Sequence, residues 1–185
     1  SMRDDLTPLI DETISAAGLK EIVNLEIVPG VDHHIAGLRF NVFEGANNTD
    51  HRSHADIQSH ITHCQLSESI KERSLDIFLL LANAEAEVHD CRVEDVKFHE
   101  LGAWDSIADI VIAAALIDGL GPANWSISSL PLGHGLVETQ HGFLPVPAPA
   151  TSLLLSGFAC HMDGQPGERI TPTGAALLKH LAPLS

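Results

Sequence analysis

"KFHELGAWDSIADIVIAAALIDGLG", residues 97–121, sets a charged segment directly against an apolar one. Its first thirteen residues contain one histidine and three carboxylates, and the twelve that follow are almost uncharged. Apolar residues occupy nearly every side of a helix over 105–120, which predicts that this helix is buried in the core. Its charged end is then expected to face a polar site.

Helices and strands follow one another irregularly on both sides of this helix. Alternating apolar residues predict strands in "EIVNLEIV" (21–28) and "AGLRFNVFE" (36–44), joined as a hairpin or as a crossover pair. The remaining elements are predicted as helices at 3–20, 53–65, 67–90, 149–157 and 173–181, strands at 124–130 and 158–162, and short strands and loops at 131–149. Because there is no strict βαβ repeat, we predict one α+β domain over 1–185, with a small mixed sheet covered by helices.

Charge and cysteine content exclude several classes of function. Twenty-five acidic and ten basic residues give a net charge of −15, which repels nucleic acid and anionic membranes. No apolar run approaches the roughly twenty residues of a membrane span. The cysteines are odd in number and widely spaced, which does not favour a disulfide framework. We expect a protein of the reducing cytoplasm that binds neither nucleic acid nor membrane.

Two carboxylates lie one turn apart at the start of the apolar helix. Asp105 is suited to be its N-cap, since a short acidic side chain accepts a backbone N–H there, and it is equally suited to a metal site. Asp109 has apolar neighbours on either side in the sequence. We expect it to be buried, and therefore paired, protonated or bound to a metal.

Histidine and glutamate residues precede this acidic pair. His99 and Glu100 are close enough in sequence to join Asp105 around one cation, and a nitrogen beside carboxylate oxygens suits nickel, zinc or manganese better than calcium. Glu85 and His89 lie four residues apart on the preceding helix. That spacing fits two metal ligands, and it also fits an ordinary surface pair.

Two further regions have both a binding and a structural interpretation. The histidines of "HRSHADIQSHITH" are spaced to bind a metal weakly, or belong to a solvated polar helix; they are His51, His54, His60 and His63. Gly133 and Gly135 allow a backbone to approach a ligand, or simply form an inert connection. In "ERITPTGAALL", Thr171 or Thr173 caps a helix whose free N–H groups near Gly174 could bind a phosphate.

Four segments together resemble a known family. In order and spacing, "EAEVHD", "VKFHELGAWDSIADIVIAA", "LPLGHGLVETQHGFLPVPAPAT" and "ERITPTGAALL" are similar to the nickel insertion proteins of the LarC type, over about residues 19–182. The resemblance implies a lyase-class cyclometallase that inserts nickel into pyridinium-3,5-bisthiocarboxylic acid mononucleotide while consuming CTP. Two nickel–sulfur bonds and one nickel–carbon bond would form, giving the nickel-pincer cofactor of lactate racemase.

The same resemblance implies roles for individual residues. The implied nickel ligands are His99, Glu100, Asp105, Asp109, His89 and Glu85. His141 would add a nitrogen ligand or act as the base that takes the ring proton, for which Glu100 is the other candidate. The implied mononucleotide-binding residues are Thr171, Thr173, Gly174, Gly133 and Gly135.

The chain also departs from the family pattern. We expect it to lack the family's first strand, with its Ser-Gly-Asp turn, and the C-terminal part associated with CTP. CTP with magnesium or manganese is therefore not expected to bind to this chain. Nickel storage by a long histidine run is not expected either, because only dispersed histidines are present.

Two alternatives to a nickel-inserting enzyme stay open at this point. One is a non-catalytic nickel-binding or scaffold module that needs a partner chain, such as a separate C-terminal part. The other is a zinc-dependent hydrolase that uses the same ligands, although no zinc-hydrolase motif is recognisable. Self-association into a homo-oligomer is compatible with either.

Overall fold

The computed structural model describes residues 2–32, 34–44, 52–98 and 102–184. Its elements are, in chain order, α1 (Met2–Ala16), β1 (Val23–Asp32), β2 (Ile35–Glu44), α2 (His54–His63), α3 (Glu68–His89), α4 (Trp104–Leu120), β3 (Leu130–His134), β4 (Leu136–Thr139), β5 (Gly142–Pro145), α5 (Pro149–Leu154), β6 (Cys160–Pro166) and α6 (Pro172–Leu181). The predicted α+β class is confirmed. Within these ranges, none of the helices has the length and apolar character needed to cross a membrane.

The strands pair in twos within the described ranges. β1 and β2 form an antiparallel hairpin, as do β4 and β5, whereas β3 and β6 are parallel. Of the two predicted arrangements for the first strands, the hairpin is therefore confirmed. Backbone contacts divide the chain into a first unit, residues 1–74 with 98–121, and a second unit, residues 75–97 with 122–185.

In the first unit, α4 supplies the centre of the core. Ile107 and Ile110 are fully buried, as expected for a helix that is apolar on most sides. α4 packs against α1 and against the β1–β2 hairpin. The strand register pairs Ile27 with Phe40, which places apolar residues of both strands on one face of the hairpin. The charged start of α4 is thus attached to a well-packed core.

In the second unit, the backbone beside β3 approaches unusually closely at Gly133. A Cβ atom on Gly133 would lie 1.8 Å from the carbonyl oxygen of Gly167, so only glycine fits there. The Gly167 N–H donates a hydrogen bond to the carbonyl oxygen of His134 at 2.9 Å, which holds the two backbone segments together. The close approach that the sequence suggested at Gly133 is therefore made by the chain's own backbone.

Two local predictions are wrong. α4 begins at Trp104 with Ala103 as its N-cap, so Asp105 is not the capping residue. The predicted strand over 124–130 is limited to a single bridge between Ser126 and Leu184, followed by the start of β3 at Leu130. A strand is stabilised by hydrogen bonds to a neighbouring strand along its length, and here the neighbouring segment pairs only through Leu184.

Candidate metal centre

The second unit brings His89 and His141 together. His89 is the last residue of α3, and His141 lies in the turn between β4 and β5. The centroids of the two rings are 4.9 Å apart, and the ring planes are inclined by 48°. Two imidazoles from distant parts of the sequence are therefore close enough to act on one ligand.

Thr139 fixes the turn that presents His141. Its hydroxyl group accepts a hydrogen bond from the His141 N–H at 3.1 Å and donates one to the Gly142 carbonyl oxygen at 2.9 Å. Gly142 has a φ of 87°, in the left-handed region that favours glycine. No sequence prediction singled out Thr139. The signal that could have found it is a threonine two residues ahead of His-Gly between two short strands.

Glu85 lies one helical turn before His89. Its Oε2 atom is 3.5 Å from Nε2 of His89, and the two side chains are 23% and 38% exposed. Two ligands on one divalent ion, each about 2.1 Å from it, lie roughly 3.0–3.4 Å apart in octahedral or tetrahedral geometry. The observed separation is therefore close to that of two atoms flanking a cation, and long for a strong hydrogen bond.

The first unit holds the acidic pair at the start of α4. Asp105 lies in the first turn, where the helix dipole favours a carboxylate. Its Oδ1 atom accepts a hydrogen bond from the Ser106 N–H at 2.7 Å. Asp109 follows one turn later and is exposed, so the prediction that it is buried is wrong.

Asp109 is nevertheless a perturbed acid. Partial loss of hydration beside the helix and, as a smaller effect, the negative charge of Asp105 raise the pKa of Asp109 to about 6. The two carboxylates therefore disfavour full ionisation in the absence of a cation. A divalent ion placed between them would relieve this repulsion.

The raised pKa of Asp109 predicts a specific pH dependence of stability. Between its ordinary value of 3.8 and about 6, the folded state binds more protons than the unfolded state, so the stability contribution falls as pH rises. Asp109→Asn removes this titration and should be more stable than the parent near pH 7 by about 1 kcal/mol, after allowance for the exposure of the carboxyl group. Urea unfolding at pH 4 to 8 measures the difference. Parallel pH profiles for the two proteins would contradict the prediction.

Several predicted ligands lie outside the described residues. His99 and Glu100 belong to this group, as does His51, and the predicted convergence of His99 and Glu100 with Asp105 stays a prediction. Across 2–32, 34–44, 52–98 and 102–184, no group of three or more His, Cys, Asp or Glu side chains is placed so that it could hold a metal ion. The described residues thus offer pairs of candidate ligands: Glu85 with His89 and His89 with His141 in the second unit, and Asp105 with Asp109 in the first.

The predicted mononucleotide-binding residues lie at the start of α6 and around β3. Thr171 caps α6, and its hydroxyl oxygen accepts a hydrogen bond from the Gly174 N–H at 3.1 Å. Thr173 lies in the first turn, and Gly133 and Gly135 lie in and just after β3. The capping role of Thr171 is confirmed, and a phosphate-binding role for these residues stays a prediction.

The described histidines of α2 make structural contacts. Nε2 of His60 is 2.8 Å from the carbonyl oxygen of Ala17, and Nδ1 of His63 is 2.8 Å from that of Ser59. His54 is buried against Phe98. These contacts favour a structural role for the described histidines of α2 over the interpretation of α2 as a solvated polar helix.

Comparison with known proteins places the chain in a family. It matches the family described as "Nickel insertion protein" over residues 6–184. It is 50% identical over 148 residues to "Putative nickel insertion protein" of Geotalea uraniireducens, covering 80% of this chain and 38% of that relative. It is 44% identical over 165 residues to "Pyridinium-3,5-bisthiocarboxylic acid mononucleotide nickel insertion protein" of Akkermansia muciniphila, covering 85% and 41%. No solved structure matches it.

The chain therefore belongs to the nickel insertion protein family. It spans about two fifths of the length of these two relatives.

Proposed function

We propose that this chain handles nickel and substrate during nickel insertion into pyridinium-3,5-bisthiocarboxylic acid mononucleotide, a step in nickel-pincer cofactor biosynthesis. Family membership and the name of the Akkermansia relative support this proposal. The observation that carries it is the 4.9 Å separation of the His89 and His141 rings, with the Glu85 carboxylate 3.5 Å from His89. Imidazole and carboxylate are ligand types that suit nickel.

An incomplete ligand set is suited to transfer. The nickel ion is the cargo of the reaction and must leave the protein for two sulfur atoms and one carbon atom of the substrate. A closed cage of protein ligands would oppose that release, whereas a few ligands leave coordination positions open for the substrate. Asp105 and Asp109 would hold or hand over the ion through their negative charge.

Formation of the nickel–carbon bond displaces a proton from the pyridinium ring. His141 and Glu100 are the candidate bases for this proton. His141 can accept it only through a ring nitrogen that does not hold nickel. Glu100 would serve if His141 stays bound to the ion.

The substrate phosphate would bind at the start of α6. Thr173 and Gly174 lie in its first turn, where the helix dipole favours an anion, and the Gly174 N–H donates to the Thr171 hydroxyl group. Thr171 holds this turn in shape, and Gly135 would border the ligand, whereas the close approach at Gly133 is taken by the Gly167 backbone. One helix N-terminus suits the single phosphate of a mononucleotide better than a triphosphate.

A non-catalytic nickel-binding module that works with a partner chain is the second candidate. The observation in its favour is that the match covers only 38–41% of the longer relatives. CTP with magnesium or manganese would then bind to the part of the family protein that this chain does not cover. No observation on the described residues favours a zinc-dependent hydrolase over a nickel-handling role.

Calorimetry with the 185-residue chain tests the proposal. Nickel should bind, and His141→Ala should weaken binding about tenfold, since loss of one ligand interaction costs about 1.4 kcal/mol. His63→Ala is the matched control and should leave the nickel affinity unchanged. His63 lies on α2, away from the candidate centre in sequence, and its ring is hydrogen-bonded to the Ser59 carbonyl oxygen. Mg–CTP should give no binding heat, because the net charge of −15 opposes a triphosphate. Equal effects of the two substitutions would contradict the proposal, and tight Mg–CTP binding would contradict the assignment of CTP to the part of the family protein that this chain does not cover.

A further inference from the structure

Arg52 contacts both sides of the segment that leads into α4. Its carbonyl oxygen accepts a hydrogen bond from the Phe98 N–H at 3.3 Å, and its Nη1 atom donates one to the Gly102 carbonyl oxygen at 3.0 Å. Its guanidinium carbon lies 3.7 Å from the centre of the Trp104 ring. One residue therefore connects Phe98, Gly102 and Trp104.

These contacts are tightly packed. A Cβ atom on Gly102 would lie 2.5 Å from the Phe98 carbonyl oxygen and 2.7 Å from the backbone nitrogen of Arg52, so only glycine fits at this position. Trp104 is 9% exposed. The ring of His60 packs edge-on against it at 5.0 Å, and a ring nitrogen of His60 is hydrogen-bonded to a backbone carbonyl at 2.8 Å. The aromatic surface under Arg52 is thus itself fixed.

The start of α4 depends on such outside contacts. Its N-cap, Ala103, has no side chain that could accept a hydrogen bond from the first turn. The first N–H groups of a helix have no carbonyl partners within the helix, and here the Ser106 N–H donates instead to Oδ1 of Asp105. Asp105 lies in this turn and Asp109 follows one turn later, so any motion of the helix start moves the carboxylates.

We propose that Arg52 is the positioning residue for the acidic start of α4, acting through Gly102 and Trp104. This inference rests on the proposed nickel-handling role of Asp105 and Asp109. The planar guanidinium group can stack on an aromatic ring and, through its edge, donate a hydrogen bond to a carbonyl at the same time. A lysine ammonium group has the same charge but cannot make both contacts in this geometry, so charge and geometry can be separated experimentally.

Arg52→Lys is therefore the informative variant, and amide hydrogen exchange is the first measurement. The Ile107 N–H, which donates to the Ala103 carbonyl oxygen at 3.2 Å, reports on the first turn of α4. Its exchange should accelerate about tenfold in Arg52→Lys, while amides in the last turns of α4 keep the exchange rates of the parent chain. Arg92→Lys, which alters an exposed ion pair with Asp95, is the matched control. It should leave amide exchange unchanged both at Ile107 and in the last turns of α4. Unchanged exchange at Ile107, or an equal acceleration along the whole helix, would overturn the inference.

Nickel affinity provides the second measurement. Arg52→Lys should weaken nickel binding by about the same factor as Asp105→Asn, and Arg92→Lys should not weaken it. If the first turn opens and nickel affinity is unaffected by Arg52→Lys and by Asp105→Asn, Arg52 still positions the helix, but the nickel role of the acidic pair is wrong. If Asp105→Asn weakens binding and Arg52→Lys changes neither affinity nor exchange, the positioning role of Arg52 is wrong while the proposed function stands.

Discussion

Gly133→Ala is expected to destabilise the chain by about 3 kcal/mol, because the added methyl group must displace backbone rather than a flexible side chain. The new Cβ atom would lie 1.8 Å from the carbonyl oxygen of Gly167, far inside van der Waals contact. Relief of this overlap requires the two backbone segments to separate. That movement would break the hydrogen bond from the Gly167 N–H to the His134 carbonyl oxygen.

Gly37→Ala is the matched control for this prediction. Gly37 lies in β2, and a Cβ atom there would meet no atom within 4 Å. Its substitution should change stability by no more than about 0.5 kcal/mol, as for an unhindered surface position. Urea unfolding of the two variants gives the comparison. Equal midpoints for Gly133→Ala and the parent chain would show that the close approach at Gly133 does not constrain the fold.

Combined replacement of His89 and His141 by alanine should reduce nickel affinity about thirtyfold, or about 2 kcal/mol, which is less than the sum of two single losses of about 1.4 kcal/mol each. The physical reason is that both imidazoles of the candidate centre are lost, which leaves Glu85 as its only described ligand. Calorimetry of the double variant and both single variants forms a double-mutant cycle. Because the rings are 4.9 Å apart, the two substitutions should not be independent.

The cycle also distinguishes one shared ion from two separate ones. If both histidines bind the same ion, the change in binding free energy for the double variant should differ from the sum of the two single changes. Glu85→Gln provides a conservative companion, since it keeps the size of the side chain and removes its charge. Strictly additive effects would contradict a shared nickel ion, and full nickel affinity in the double variant would contradict the centre altogether.

Much of the fold follows from local sequence pattern. The apolar helix α4, the hairpin of β1 and β2, and α6 with its threonine cap are each specified by residues within the element or next to it. The errors arise where tertiary context decides. Residues 124–130 alternate like a strand, but among the described residues they pair only at Ser126, with Leu184, and at Leu130, where β3 begins.

The environment of Asp109 was hidden from sequence analysis for a geometric reason. Positions 105, 109 and 113 form one stripe along α4, and this stripe is less buried than positions 107–108, 110–112 and 114–115. Ala113 makes the stripe look apolar although it is only partly buried. The sequence pattern therefore shows no clear polar face on this helix, and it predicts a buried Asp109.

The candidate centre was only partly accessible from sequence. The spacing of Glu85 and His89 shows that they share a helical face, but equally fits a surface pair. The proximity of His141 to His89 depends on the β4–β5 turn and on tertiary packing, which no local spacing specifies. Family resemblance supplied His141 as a candidate ligand, and the structure places its ring 4.9 Å from that of His89. Arg52 carried no sequence signal, because its contacts with Gly102 and Trp104 span about fifty positions.

Anomalous X-ray scattering at the nickel absorption edge, from crystals of this chain grown with nickel, tests the central claim most directly. The account predicts a nickel peak about 2.1 Å from a ring nitrogen of His89 and a ring nitrogen of His141, with a Glu85 oxygen at similar distance. A nickel peak on the α2 histidines alone, with none between His89 and His141, would contradict it.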